Sequence, residues 1–329
     1  MDVLSQAVLG SSLSQSFTND KSKQLTALFI GALAGMAPDL DILIRSSEDP
    51  LLFLEFHRQF THSLIFIPFG ALICALFFYL FVKNKLSFSQ VYLFSFLGFS
   101  THGLLDACTS YGTQLFWPFS NQRVSWNIVS IVDPLFTIPI LIGIILAVYK
   151  KPLFARITFI YAVIFLTFGQ VQKQRAVSSI EDLVKQRGHQ IERVLVKPSF
   201  GNRHVWKLIY EYDGRYYVDA VKLLWNKAII VGTSIAKLNV KRDFHWLDAT
   251  HQQTKDIERF RWFSGDFLAV DSKDKNVIFD VRYSFIPNEI KLMWGIELNP
   301  DNPGNVHVKF AMSRNTNQKH RQKFIDMLF

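Results

Sequence analysis

Residues 64–82 read LIFIPFGALICALFFYLFV, an apolar run without a charge. A helix needs about 20 such residues to cross the hydrocarbon of a bilayer. Working outward, residues 128–149 (IVSIVDPLFTIPILIGIILAVY) form a second run, interrupted only by Asp133. Residues 25–44, 91–107 and 155–171 are shorter or more polar candidates. Residues 3–17 are weakly apolar and read as a sixth short crossing or an interfacial helix. Met1–Phe17 has no basic n-region and no cleavage pattern, so a removed leader is not expected.

The whole chain of 329 residues is 49% apolar and 19% charged, with a net charge of +9. Residues 1–171 hold 10 Lys/Arg against 9 Asp/Glu, and residues 172–329 hold 26 against 18. The two parts therefore belong in different solvents. The basic excess is scattered among acids with no basic run, so a nucleic-acid partner is not expected. Two cysteines, Cys74 and Cys108, exclude a disulfide scaffold and a Cys-rich zinc module.

These patterns predict an α-helical polytopic membrane domain of about five to six helices over 1–171. A helical linker follows over 172–189, then a small β-rich extramembrane domain with a polar tail over 190–329. Within the last part, KLIYEYDGRYYVDAVKLL carries Asp213-Gly214 between two alternating runs, a hairpin signal. FLAVDSKDKNVIFDVRYSF reads as a second hairpin and residues 255–263 as a helix. Lys21 and Lys23, Lys83 and Lys85, and Lys150, Lys151 and Arg156 fall on one side of a six-crossing chain. That side is the cytoplasmic one. Residues 45–63, 108–127 and everything after 171 then face the other way.

Ionisable groups beside apolar segments are costly and so carry information. Asp39 and Asp41 close one segment and suit a divalent cation, although carboxylates are also ordinary at an exposed helix end. His57, Arg58 and His62 open the longest apolar run. His102 and Asp106 stand four residues apart, which puts imidazole and carboxylate on one helical face. Such a pair serves a metal, a proton relay or a plain hydrogen bond. Arg123 follows the aromatic turn LFWPF and fits bidentate binding of phosphate or carboxylate, or snorkelling to headgroups. Asp133, before Pro134, is a candidate metal ligand, a support for a liganding histidine, or a partner of Arg123. Together these form a mixed N/O donor set for a divalent ion, with hydrolysis its commonest chemistry.

The opening MDVLSQAVLG, PDLD at 38–41, HRQFTHS at 57–63, HGLLDACTSYGTQLFWPF at 102–119 and IVDP at 131–134 resemble the LexA-regulated inner-membrane family of bacterial metal-dependent hydrolases. RFRWFSGDFLAV and IFDVRYSF extend the likeness into the second half. The resemblance implies a distant similarity to zinc-dependent phospholipase C and single-strand nucleases. It implies His102 and Asp106 as a ligand pair, Asp39 or Asp41 as a bridging carboxylate, and His62 as a further ligand. The family commonly has a histidine where this chain has Gln6, a poor transition-metal ligand.

The resulting expectation is a multi-pass hydrolase of the bacterial inner membrane, with its site and C-terminal domain on the non-cytoplasmic face. Its metal ligands are Asp39, Asp41, His57, His62, His102 and Asp106, and its catalytic groups Asp41, Arg58, Arg123 and Asp133. Zinc is the first-choice ion, with manganese or magnesium behind it. A phosphoester, as a membrane lipid or lipid-linked molecule, is the expected substrate. The rival classes are an ion-coupled transporter and a membrane-anchored binding protein. Nothing in the sequence names a protein partner.

Overall fold

The computed structural model describes residues 1–313 and 318–328; residues 314–317 and 329 of the expected polar tail lie outside the described residues. The chain divides into two compact units. One comprises Met1–Leu43, Phe56–Val171 and Phe200–Asn202, the other Ile44–Glu55, Gln172–Ser199 and Arg203–Phe329.

In chain order the first helices are α1 (Val3–Ser16), α2 (Gln24–Met36), α3 (Leu52–Phe56), α4 (Ile67–Val82), α5 (Phe88–Cys108), α6 (Pro134–Tyr149) and α7 (Leu153–Arg187). Three stretches are long and apolar enough to cross a membrane: Lys21–Leu43, Leu64–Val82 and Leu153–Arg187. Helix α6 is apolar but shorter. The run over 128–149 is not helical throughout. The Asp133 carboxylate accepts the Leu135 N–H at 3.1 Å and Pro134 opens α6, so Asp133 is a helix cap.

Helix α1 looks only weakly apolar because protein surrounds it. Its Ser5, Gln6, Ser11, Ser12, Ser14 and Gln15 are all buried, and it packs on α2, α5 and α6. The Ser14 hydroxyl donates to the Phe94 carbonyl at 2.8 Å, and Ser11 donates to that of Leu28 at 2.9 Å. Where the helices cross, a methyl group on Gly10 or Gly98 would lie 2.4 or 2.5 Å from the Gly31 carbonyl oxygen. Small residues let the backbones touch there.

The second unit is β-rich. Strands β1 (Arg193–Pro198), β2 (Val205–Tyr212), β3 (Arg215–Leu223) and β4 (Lys227–Ala236) form one antiparallel sheet in that order. Strands β5 (Leu268–Val270), β6 (Val277–Asp280), β7 (Trp294–Glu297) and β8 (Lys309–Met312) form another. The hairpin predicted at Asp213-Gly214 is present. Tyr212 pairs with Arg215, and the two turn residues have φ of 49° and 64°, as a tight right-twisting turn requires. The hairpin predicted over 267–285 is β5–β6, and the helix predicted over 255–263 lies inside α9 (Gln252–Ser264), after the short α8 (Val240–Asp243). Helix α10 (Gln318–Leu328) follows.

Ile209, Tyr216 and Val218 of the first sheet meet Phe267, Ala269, Phe279 and Val281 between the sheets. On its other face Trp206, Leu208 and Tyr210 pack against Ala176, Ile180 and Val184 of α7. That helix runs without a break from the membrane stretch into this unit. Residues 44–55 also belong here. Arg259 on α9 binds Asp49 at 2.7 and 2.9 Å and Glu55 at 2.5 Å, and buried Asp256 at 3.0 Å.

Candidate metal centre

Past α2 the chain tightens into a 3₁₀ turn, Ala37–Leu43, that carries Asp39 and Asp41. The HRQFTH motif does not continue a helix, because Arg58 takes a left-handed φ of 67° and a second 3₁₀ turn, Phe60–His62, follows. This break brings both imidazoles towards Asp41, which a regular helix would not do at a spacing of five residues.

The Asp41 carboxylate is buried and organises the loop. It accepts the Arg58 N–H at 3.0 Å and the Thr61 hydroxyl at 2.7 Å, and lies 2.7 Å from His57 Nδ1 and 3.2 Å from His62 Nδ1. With so many partners it is a positioning group more than an open base. His102, on α5, donates from Nδ1 to the Gly35 carbonyl at 2.6 Å. Each histidine thus has its Nδ1 engaged, which leaves Nε2 facing the other candidate donors.

Those two Nε2 atoms stand 2.9 Å apart. Asp39 Oδ1 lies 3.3 Å from that of His102 and 3.5 Å from that of His62. Asp106 Oδ2 lies 3.5 Å from His62 Nε2 and 3.9 Å from His102 Nε2. Zinc bonds of about 2.0–2.1 Å at tetrahedral angles place ligand atoms roughly 3.3 Å apart. These five separations, from 2.9 to 3.9 Å, bracket that value, so the donor set could hold a small divalent ion. Burial opposes a charge on His62, but the carboxylates of Asp106, Asp39 and Asp41 outweigh it and raise the imidazole to about 10. A positive centre is what this group of donors favours.

Asp39, Asp41 and His57 make a second cluster of potential ligands, sharing Asp39 with the first. All six residues expected as metal ligands are thus drawn into two adjoining groups.

The expected catalytic groups are placed differently. The Arg58 guanidinium lies 2.9 Å from Asp106 Oδ2 and 3.3 Å from the Thr109 hydroxyl, so it balances the charge of that carboxylate. Arg123 donates to the Gly112 carbonyl at 2.9 Å. Asp133 caps α6 and is in neither ligand cluster. Gln6 donates to Asp106 Oδ1 at 3.0 Å and to the His102 carbonyl at 3.3 Å, and the Met1 α-amino group also bonds Asp106 Oδ1. Glutamine at this position holds a candidate ligand. The sequence reading missed three contributors: Thr61, the Gly35 carbonyl and Gly103. At Gly103 a methyl group would meet the His62 carbonyl oxygen at 2.2 Å. Thr61 sits inside a quoted motif, but no spacing rule points to the other two.

No solved structure matches the chain. It is 26% identical to the uncharacterized protein YfhP of Bacillus subtilis over 197 residues, 58% of each chain. It is 30% identical to the inner membrane protein YbcI of Escherichia coli over 111 residues, 32% of this chain and 61% of that one. The chain thus spans about six tenths of the length of these curated relatives. The sequence model of the YdjM inner membrane proteins matches residues 1–176, which include the whole donor set and every helix that builds it. With more than half of its length matched in this way, the chain belongs to the YdjM inner membrane protein family.

Proposed function

We propose that this chain is a metal-dependent hydrolase of the inner membrane, acting on phosphoesters carried by lipids. The observation that carries the reading is the Asp39–His62–His102–Asp106 group, four donors whose atoms lie within 4.8 Å of one another, with both histidines fixed from behind. Two imidazoles with two carboxylates suit zinc first, then manganese or magnesium. A divalent ion held there supplies Lewis-acid activation of water and of phosphoryl oxygens. The protein's own part is positional. Gly35 and Asp41 hold the imidazoles, Gln6 and Arg58 hold Asp106, and half-exposed His57, backed by Asp41, is available to a second ion.

Apolar side chains on the same loops support a lipid substrate. Leu40, Leu43, Phe116 and Phe119 are exposed beside the site motifs, as befits a centre that meets lipid without drawing it into water. The positive-inside pattern favours five or six crossings with this centre and the β-rich part on the non-cytoplasmic face.

The test is metal content by plasma mass spectrometry, on wild type beside His102→Ala and Asp106→Ala, with turnover of phosphodiester and phosphomonoester lipids before and after chelation. Tightly bound divalent ions lost in both variants, with turnover lost on chelation, are expected. A wild type that binds no ion when divalent metals are supplied refutes the reading.

A further inference from the structure

Trp225 is 99% exposed and its neighbour Leu224 is 45% exposed, at the tip of the β3–β4 hairpin. Elsewhere in this sheet the tryptophan is treated differently: Trp206 is fully buried and its indole N–H donates to the Arg203 carbonyl at 3.0 Å. At a turn of three residues, the Trp225 ring is covered by none of the described residues.

The position of that tip is fixed by α7. The apolar part of the helix ends at Val171, and the first cation after it is Lys173. Counted from Leu153, about 20 residues of helix cross the hydrocarbon, which puts the bilayer boundary near Gln172. At that level the helix grips the end of the hairpin. The Gln172 side-chain amide donates to the carbonyls of Leu223 and Arg203 at 3.3 Å each, and Arg175 donates to the Leu224 carbonyl at 2.7 Å. The tip is therefore held within one turn of the point where the helix leaves the hydrocarbon.

We propose that the Leu224–Trp225 tip is seated in the lipid headgroup region, as a second and interfacial anchor of the β-rich unit. Tryptophan is at home there, with an apolar ring and a polar N–H. Lys222 and Lys227 flank the turn and Arg175 reaches the Leu224 carbonyl, so the charge at this level is positive, as anionic headgroups require. The occupant is the bilayer itself, and the hairpin end is thereby fixed at two points, the helix and the lipid. The reading rests on α7 crossing the membrane and is independent of any hydrolase activity.

The test uses the full-length protein in vesicles of phosphatidylethanolamine and phosphatidylglycerol. Trp225→Cys and Leu224→Cys carry an environment-sensitive fluorophore. Lys185→Cys, exposed on the same helix about 20 Å further on, is the reference. Wild type reports background from the two buried cysteines. Labels at 224 and 225 are expected to be quenched by shallow doxyl lipids and shielded several-fold from aqueous iodide relative to 185. Equal iodide quenching at all three positions overturns the proposal. Shielding from iodide without doxyl quenching also overturns it, because a protein then covers the tip.

Discussion

A methyl group added at Gly103 falls 2.2 Å from the His62 carbonyl oxygen. Comfortable carbon–oxygen contacts begin at about 3.3 Å, so roughly 1 Å must be found. The obstacle is backbone and cannot rotate aside. Gly103 lies on α5 next to His102, and the oxygen belongs to the residue whose Nε2 stands 2.9 Å from that of His102. The displacement therefore opens the donor set along the line between its two imidazoles. Metal-ligand distances tolerate only about 0.2 Å, so Gly103→Ala is expected to weaken ion binding by roughly 10–100-fold. Overpacking adds about 1–3 kcal/mol of destabilisation. Competition with a chelator of known affinity measures the first effect, and thermal unfolding in detergent with and without metal measures the second. Gly188→Ala is the comparator, since a methyl group there meets nothing within 4 Å although its φ of 68° is left-handed. If Gly103→Ala keeps wild-type metal affinity within about twofold, the argument from close approach is refuted.

Two further outcomes follow from the β-rich unit. Arg259→Ala removes the group that ties Asp49 and Glu55 to α9, at a local cost of about 2 kcal/mol. Amide exchange within 44–55 should quicken by about tenfold or more, and unchanged protection would show that the segment is held by other means. Lys207 is 2% exposed, and burial lowers its amine to about 7 against the pull of Asp280 and Glu289. In the unfolded chain the amine stays protonated to its ordinary value, so between about pH 7 and 10 the unfolded state binds the extra proton and stability rises with pH. The slope is roughly 1 kcal/mol per pH unit, and Lys207→Met should flatten it in unfolding titrations of the full-length protein. An unaltered slope would assign it to other groups.

Local spacing made part of this protein legible. His102 and Asp106 declare themselves because four residues are one helical turn, and Asp213-Gly214 because few residues accept two positive φ angles. Apolar runs 64–82 and 155–171 are visible because lipid imposes its own composition. Less was readable where protein is the solvent. Helix α1 hides its serines and glutamines against neighbouring backbones, so hydropathy alone understates it. Asp133 looked like a charge stranded in a span, and Asp-Pro at a helix start turned out to be a cap. The pairing of Arg58 with Asp106 joins residues 48 apart, a relation that no periodicity encodes. The capture of 44–55 by Arg259 is still more remote.

That capture has a consequence in time. Asp49 meets Arg259 across 210 residues of chain, and at about 5–20 residues per second the ribosome needs roughly 10–40 s to traverse that distance. Throughout that interval Asp49 and Glu55 await the arginine that binds them. The stretch 44–55 is thus among the last parts of the chain to meet the groups that hold it. A nascent chain halted before α9 would lack the arginine that binds Asp49 and Glu55, which builds a delay between insertion of the helices and fixing of this segment into the order of synthesis.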